Sequence, residues 1–160
     1  MNGKKVKNIL VILILSSLIL LLTSHLATAA MPAVMVTGGG RATFDPGEEL
    51  EGLETKFSVG AKLNSDGSAS GHFNCLIESV VVISGDIHSG QMNSDGSVTL
   101  DGTGTIVEIV TGIIFRDEPF RVTMWPGGPG EGRFIYFDVV TGPAGDAETV
   151  SHGQIMIDTH

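Results

Sequence analysis

The sequence predicts an all-β fold, an antiparallel meander of about eight or nine strands closed as a small β-barrel, with a β-sandwich as the alternative closure. Three observations carry this. From Phe57 onward apolar and polar residues alternate, as in Phe57-Ser58-Val59-Gly60-Ala61-Lys62-Leu63. A five-residue turn sequence, Asn64-Ser65-Asp66-Gly67-Ser68, recurs as Asn93-Ser94-Asp95-Gly96-Ser97, 29 residues later. No window of a dozen residues keeps a helical period without Gly or Pro breaking it, so strands are the regular structure that fits.

The chain has 160 residues and opens on Lys4, Lys5 and Lys7 with no acidic residue among them. An apolar run from Ile9 to Leu22 follows, broken only by Ser16 and Ser17, and then Ala27 and Ala29 stand two apart. A basic start, a short apolar core and a small-x-small site form a secretory signal. The run is also short for a helix crossing a bilayer, which needs roughly 20 apolar residues. The expected division is a cleavable signal peptide over residues 1–29 and one all-β domain over 30–160. The expected location is outside the cytoplasm: secreted, extracellular or at the cell surface, with the periplasm as a further possibility. No Cys lies near the cut to carry a lipid.

Removing the signal leaves six basic and 18 acidic side chains, a net charge of −12 with His neutral. Such a surface repels nucleic-acid phosphates and anionic lipid, so no nucleic acid and no stable membrane insertion are expected. Cation or basic-partner attraction follows from the same sign. Cys75 is the single cysteine, which excludes an internal disulfide. It alternates with Phe73 and Ile77 and is therefore expected buried and inert, because a nucleophilic thiolate needs exposure and a neighbouring base.

The first hairpin can be registered. With Ser65-Asp66-Gly67 as a three-residue loop, Leu63 faces Ala69, Ala61 faces Gly71, Val59 faces Phe73 and Phe57 faces Cys75. The chain returns over Ala69 to Ile77, turns through Glu78-Ser79 and runs out from Val80 towards Gln91. The second turn sets even-numbered Met92 opposite Val98, whereas the buried face before it is odd-numbered. One extra residue must shift the phase, and Gly85 or Gly90 is the expected bulge. Later strands are expected over Gly112–Phe115, Phe120–Trp125, Arg133–Val140 and Ser151–Ile157, with Pro119 at an edge or bulge and the 125–132 stretch as a loop. Val34–Val36 and Arg41–Phe44 complete the set. Asp45 to Glu54 reads as an acidic loop or as a short helix capped by Asp45.

The strongest polar cluster is His72, Asn74, Asp86 and His88. The hairpin sets His72 opposite Asp86, Asn74 opposite Ser84 and His88 opposite Ser70. Imidazole and carboxylate together make His72, Asp86 and His88 weak metal candidates, but a cross-strand pair explains them as well and no compact metal spacing reinforces the case. The two Asn-Ser-Asp-Gly-Ser turns offer calcium one carboxylate each, too few for a cation that wants several oxygens. Trp125, backed by Pro126 and Gly127, is a rigid aromatic candidate for contacting a glycan or a protein of the cell envelope, or for capping the barrel. No nucleophile elbow and no cofactor motif is present, so no catalytic residue and no cofactor are expected.

From Thr37 to Ile157 the pattern resembles a family of small Gly-rich all-β modules of bacterial secreted and cell-surface proteins, often found after surface-anchoring-associated domains (post-COAP-like). The residues that carry the resemblance are Gly38-Gly39-Gly40, Gly71-His72-Phe73-Asn74, Gly85-Asp86-Ile87-His88-Ser89, Leu100-Asp101-Gly102-Thr103-Gly104, and Pro129-Gly130 before an aromatic strand. Relatives usually carry Asp-x-Gly-x-Pro-Gly in the last loop, where this chain has Trp-Pro-Gly-Gly-Pro-Gly. They usually have an aromatic residue where Cys75 stands. The resemblance implies an exported β module without an assigned activity. The expected function is a non-catalytic structural or binding module; the alternative is a barrel that uses its interior as lipocalins do, holding a small ligand with minor chemistry at its mouth. A packed interior favours the first and an open one the second.

Overall fold

The computed structural model describes residues 33–138 and 145–160, so the expected signal peptide and Val139-Val140 of the expected Arg133–Val140 strand lie outside the described residues. Eight antiparallel strands close into a barrel in simple sequence order. They are β1 (Val34–Phe44), β2 (Glu54–Leu63), β3 (Ser68–Ile77), β4 (Val81–Met92), β5 (Val98–Glu108), β6 (Ile114–Trp125), β7 (Arg133–Asp138) and β8 (Ala147–Thr159). β1 closes the ring by pairing with both β2 and β8. The closure is a barrel and not a sandwich.

Alternation fixes which side chains enter. In β2, Thr55, Phe57, Val59, Ala61 and Leu63 are all buried while the residues between them face out. The registered hairpin is present: Phe57 pairs with Cys75, Val59 with Phe73, Ala61 with Gly71 and Leu63 with Ala69. Each Asn-Ser-Asp-Gly-Ser turn is held the same way. Gly67 and Gly96 both sit at φ 85°, a conformation that favours glycine. Asp66 Oδ1 accepts from Ser68 N and Oγ at 2.9 and 2.6 Å, and Asp95 Oδ1 accepts from Ser97 N and Oγ at 3.0 and 2.7 Å. The serine hydrogen bonds hold both carboxyls below their ordinary range. Turn formation thus already engages the oxygens that a calcium reading would use.

An eight-stranded barrel has an interior just wide enough for side chains to fill. Here five aromatic rings fill it. Phe73 stacks on Tyr136 with centroids 5.7 Å apart, meets Phe120 at 5.9 Å and Phe134 edge-on at 6.3 Å, and Phe57 touches Phe134 at 5.0 Å. Space for the rings comes from inward glycines: a Cβ on Gly85 or Gly102 would run into the Phe120 ring. The Gly-rich composition is therefore, at these positions, a packing device.

Several expectations are corrected in position. The phase shift in β4 exists, but the register jumps between Ile87 and Ser89 with His88 as the extra residue, not at Gly85 or Gly90. Those two glycines are held by space instead, since a Cβ on Gly90 would come within 2.9 Å of Leu100 Cδ2. Met92 pairs with Val98 as expected, yet remains exposed at the rim. The two segments expected around Pro119 are one strand, β6, which carries Pro119 opposite Thr103 and relieves its backbone at Asp117, φ 56°. Val34–Val36 and Arg41–Phe44 likewise join through Gly38-Gly39-Gly40 into one strand. Residues 45–53 form turns and no helix, so the acidic-loop alternative holds.

The 126–132 loop has a role beyond connection. Among the described residues β7 pairs with β8 through Arg133, Phe134 and Ile135. Further along the edge of β8, Gly127 pairs with Ile155, Gly130 N donates to Val150 O at 2.8 Å, and Val150 N donates to Gly132 O at 2.7 Å. The loop substitutes for strand where β7 is absent.

Three substitutions test this packing by urea unfolding. Phe73→Ala should cost about 3–5 kcal/mol, the range for emptying a buried aromatic site. Gly102→Ala should cost about 1–3 kcal/mol from overpacking against Phe120, whereas Gly60→Ala, which meets nothing, should stay within about 0.5 kcal/mol of wild type.

Candidate functional site

The residues singled out in the sequence lie on the outside. His72 Nδ1 is 2.6 Å from Asp86 Oδ1, and the two side chains are 74 % and 63 % exposed. Asn74 bridges two strands, accepting from Ser84 Oγ at 2.8 Å and donating to Ser58 Oγ at 3.4 Å. His72 pairs with Asp86 and Asn74 with Ser84, as the hairpin requires. His88 is not opposite Ser70: the β3–β4 register jumps between Ser68 and Gly71, and the bulged His88 instead meets Thr103 Oγ1 at 2.9 Å. Trp125 is also apart from this cluster; its indole N–H donates to Asp95 Oδ2 at 3.0 Å and clamps the second turn. The outer face is thus a row of polar cross-strand pairs, extended by Arg121 and Asp101 at 2.7 Å. Exposed pairs of this kind contribute about 0–1 kcal/mol each. Among the described residues no three His, Cys, Asp or Glu side chains converge as a metal site.

The barrel's two ends differ. One carries both Asn-Ser-Asp-Gly-Ser turns and the 126–132 loop; the other carries the 45–53, 78–80 and 109–113 connections. At this second end a carboxylate has been folded inward. Glu148, near the start of β8, lies between Phe134 of β7 and Phe44 of β1, and only 1 % of it is exposed. Val150, two residues on, shares its inward face. The Thr55 hydroxyl faces this carboxyl and favours its ionised form, yet neither Thr55 Oγ1 nor Glu148 Oε2 completes a hydrogen bond of normal geometry.

Burial pushes the Glu148 carboxyl up to about 8, helped by the negative charges of Asp146 and Asp45. Asp146 is raised too, by burial first and then by Glu48 and Glu49 beside it. The Cys75 thiol is buried, as expected, and is pushed well up by that burial and by Glu148. Glu148, Cys75, Tyr136, Phe44, Ile77 and Leu50 line a cavity of about 50 Å³, with Glu49 and Asp146 also on its wall. That volume admits a few solvent-sized groups, far below the roughly 300–1,000 Å³ of a drug-sized pocket.

No protein-family model matches the chain, and no curated protein or solved structure matches it either. The site therefore has to be read from its own chemistry. Among the described residues no helix is long and apolar enough to cross a membrane.

Glu148 makes stability fall with rising pH. In the unfolded chain a Glu ionises near 4.3, whereas here it keeps its proton to about 8. Between those values the folded state holds one more proton, so stability is greatest below the unfolded value and the loss is complete only above the folded one. Glu148→Gln, which keeps the shape and cannot ionise, should melt well above wild type at about pH 9 and nearly with it at about pH 4.5, a difference on the order of a few kcal/mol. Thermal unfolding across that range checks this.

Proposed function

We propose that this chain is an exported, non-catalytic structural or binding module that works outside the cytoplasm, through its surface and its ends. The carrying observation is the filled interior. Phe57, Val59, Phe73, Ile83, Leu100 and Ile106 are all buried within the barrel, where a carrier would hold its ligand. A second support is the His72–Asp86 pair, which lies exposed on an outer face and not in a cleft that would exclude water from a reaction. The basic, apolar and small-x-small order of the first 29 residues supports export. The order of the Gly-rich elements, which resembles that of bacterial surface modules, supports the same reading. A cell-envelope protein or glycan is the partner class this location favours.

Two measurements test the reading. Expressed with its own N-terminus in a secreting bacterial host, the chain should leave the cytoplasm and begin at Ala30 by mass spectrometry; retention with Met1 in place would overturn export. Addition of cis-parinaric acid, an apolar fluorescent probe, should give no saturable one-to-one enhancement, and such an enhancement would return the small-ligand carrier to first place.

A further inference from the structure

The barrel end around Glu148 combines features that structural economy does not explain. Glu148 Oε2 is buried without a hydrogen-bond partner, and it lines a cavity open to the outside. A lone carboxyl in an apolar setting is costly to keep unless something completes it. More negative charge surrounds it where compensation would be expected. Asp45 and Glu49 approach from the 45–53 loop and Asp146 from just before β8, while Cys75 and Tyr136 flank the cavity from β3 and β7. Arg133 is engaged with Asp45 at 3.2 Å, and Asp45 also accepts from Thr149 Oγ1 at 2.6 Å. Among the described residues no ion pair involves Glu148, Asp146, Glu48 or Glu49.

We propose that this cavity binds a primary ammonium group on a short apolar stem, the ammonium seated among Glu148, Asp146 and Glu49 and the stem against Phe44, Leu50 and Ile77. Three features select that chemistry. A compact ammonium offers three donors to several acceptors, and a cavity of about 50 Å³ takes such a head without the planar width of a guanidinium. The walls supply both an uncompensated acid and apolar surface, so a hydrated metal ion fits poorly, in line with the lack of a three-ligand cluster among the described residues. The net charge, −9 with His neutral, adds a field that draws cations to the mouth. Two sources present this group: a free alkylamine, or a lysine side chain projecting from a partner. The inference is independent of export, so a chain that failed to leave the cytoplasm would leave it standing.

Binding must be coupled to proton release. Glu148 holds its proton to about 8 in the empty cavity, and the ammonium pairs only with the ionised form. Calorimetric titration of the full chain with n-butylamine should show saturable binding that tightens several-fold from about pH 6.5 to about pH 8.5, with a proton released at the lower pH. Butanol, matched in stem but uncharged, should not saturate. Glu148→Gln should weaken butylamine binding at least tenfold while the circular dichroism spectrum is retained. A peptide acetylated only at its N-terminus and carrying one free lysine distinguishes the sources: tighter binding than butylamine, lost in the same variant, identifies a partner's lysine, and weaker binding identifies a free amine. Absence of saturable butylamine binding, equal affinity in Glu148→Gln, or affinity that falls with pH would overturn the proposal. Should Glu148→Gln not fold, Asp146→Asn serves in its place, where a smaller loss is expected and unchanged affinity overturns it.

Discussion

Closing eight strands into a ring is the constraint on which the rest of this structure depends. Closure removes the open sheet edges, but it leaves an interior so narrow that side chains must fill it at close packing. Phe57, Phe73, Phe120, Phe134 and Tyr136 cannot all point inward unless other inward positions give way, and Gly85 and Gly102 do so beneath the Phe120 ring. The bulge at His88 and the bend at Asp117 belong to the same requirement, because strands wrapped into a tight ring must shift phase to keep apolar residues inside. The seam follows too. β7 is short, and the 126–132 loop completes the edge of β8 with backbone hydrogen bonds that a strand would otherwise make.

A filled barrel confines any binding chemistry to its outer face or its ends. The outer face is satisfied: His72 with Asp86, Asn74 with Ser58 and Ser84, Arg121 with Asp101. The end that holds both Asn-Ser-Asp-Gly-Ser turns is satisfied as well, each Asp being occupied by the serine of its own turn and Asp95 also by Trp125. The opposite end is not. There an acidic loop, a buried carboxyl and an exposed apolar connection with Ile109, Val110 and Ile113 at its surface come together.

The hairpin from Phe57 to Ile77 could be read residue by residue because its information is local. A period of two and a turn of fixed loop length leave one register that keeps Phe57, Val59, Phe73 and Cys75 on one side. The His72–Asp86 pairing followed in the same way from the next hairpin, β3 with β4. Reading failed where a strand's continuity depends on neighbours. Gly38-Gly39-Gly40 and Pro119 interrupt the local pattern, yet partners on both sides hold β1 straight through, and β5 holds β6 opposite Pro119. Glu148 was missed for a related reason. Sharing the face of Val150 marks it as inward only once β8 is known to begin at Ala147, and a Glu ordinarily marks a strand's wet side.

The sequence by itself determined that this chain makes paired strands, how the first hairpin registers, where both tight turns fall, and that Cys75 lies inside. Those properties follow from side-chain alternation and turn chemistry, which act within a few residues. Only the tertiary structure decided that the sheet closes on itself, that glycines of β4 and β5 make room for a ring from β6, and that a carboxyl from β8 sits uncompensated beside acids from a loop some 100 residues earlier. These depend on which distant residues share one narrow interior, and distance along the chain carries no record of that.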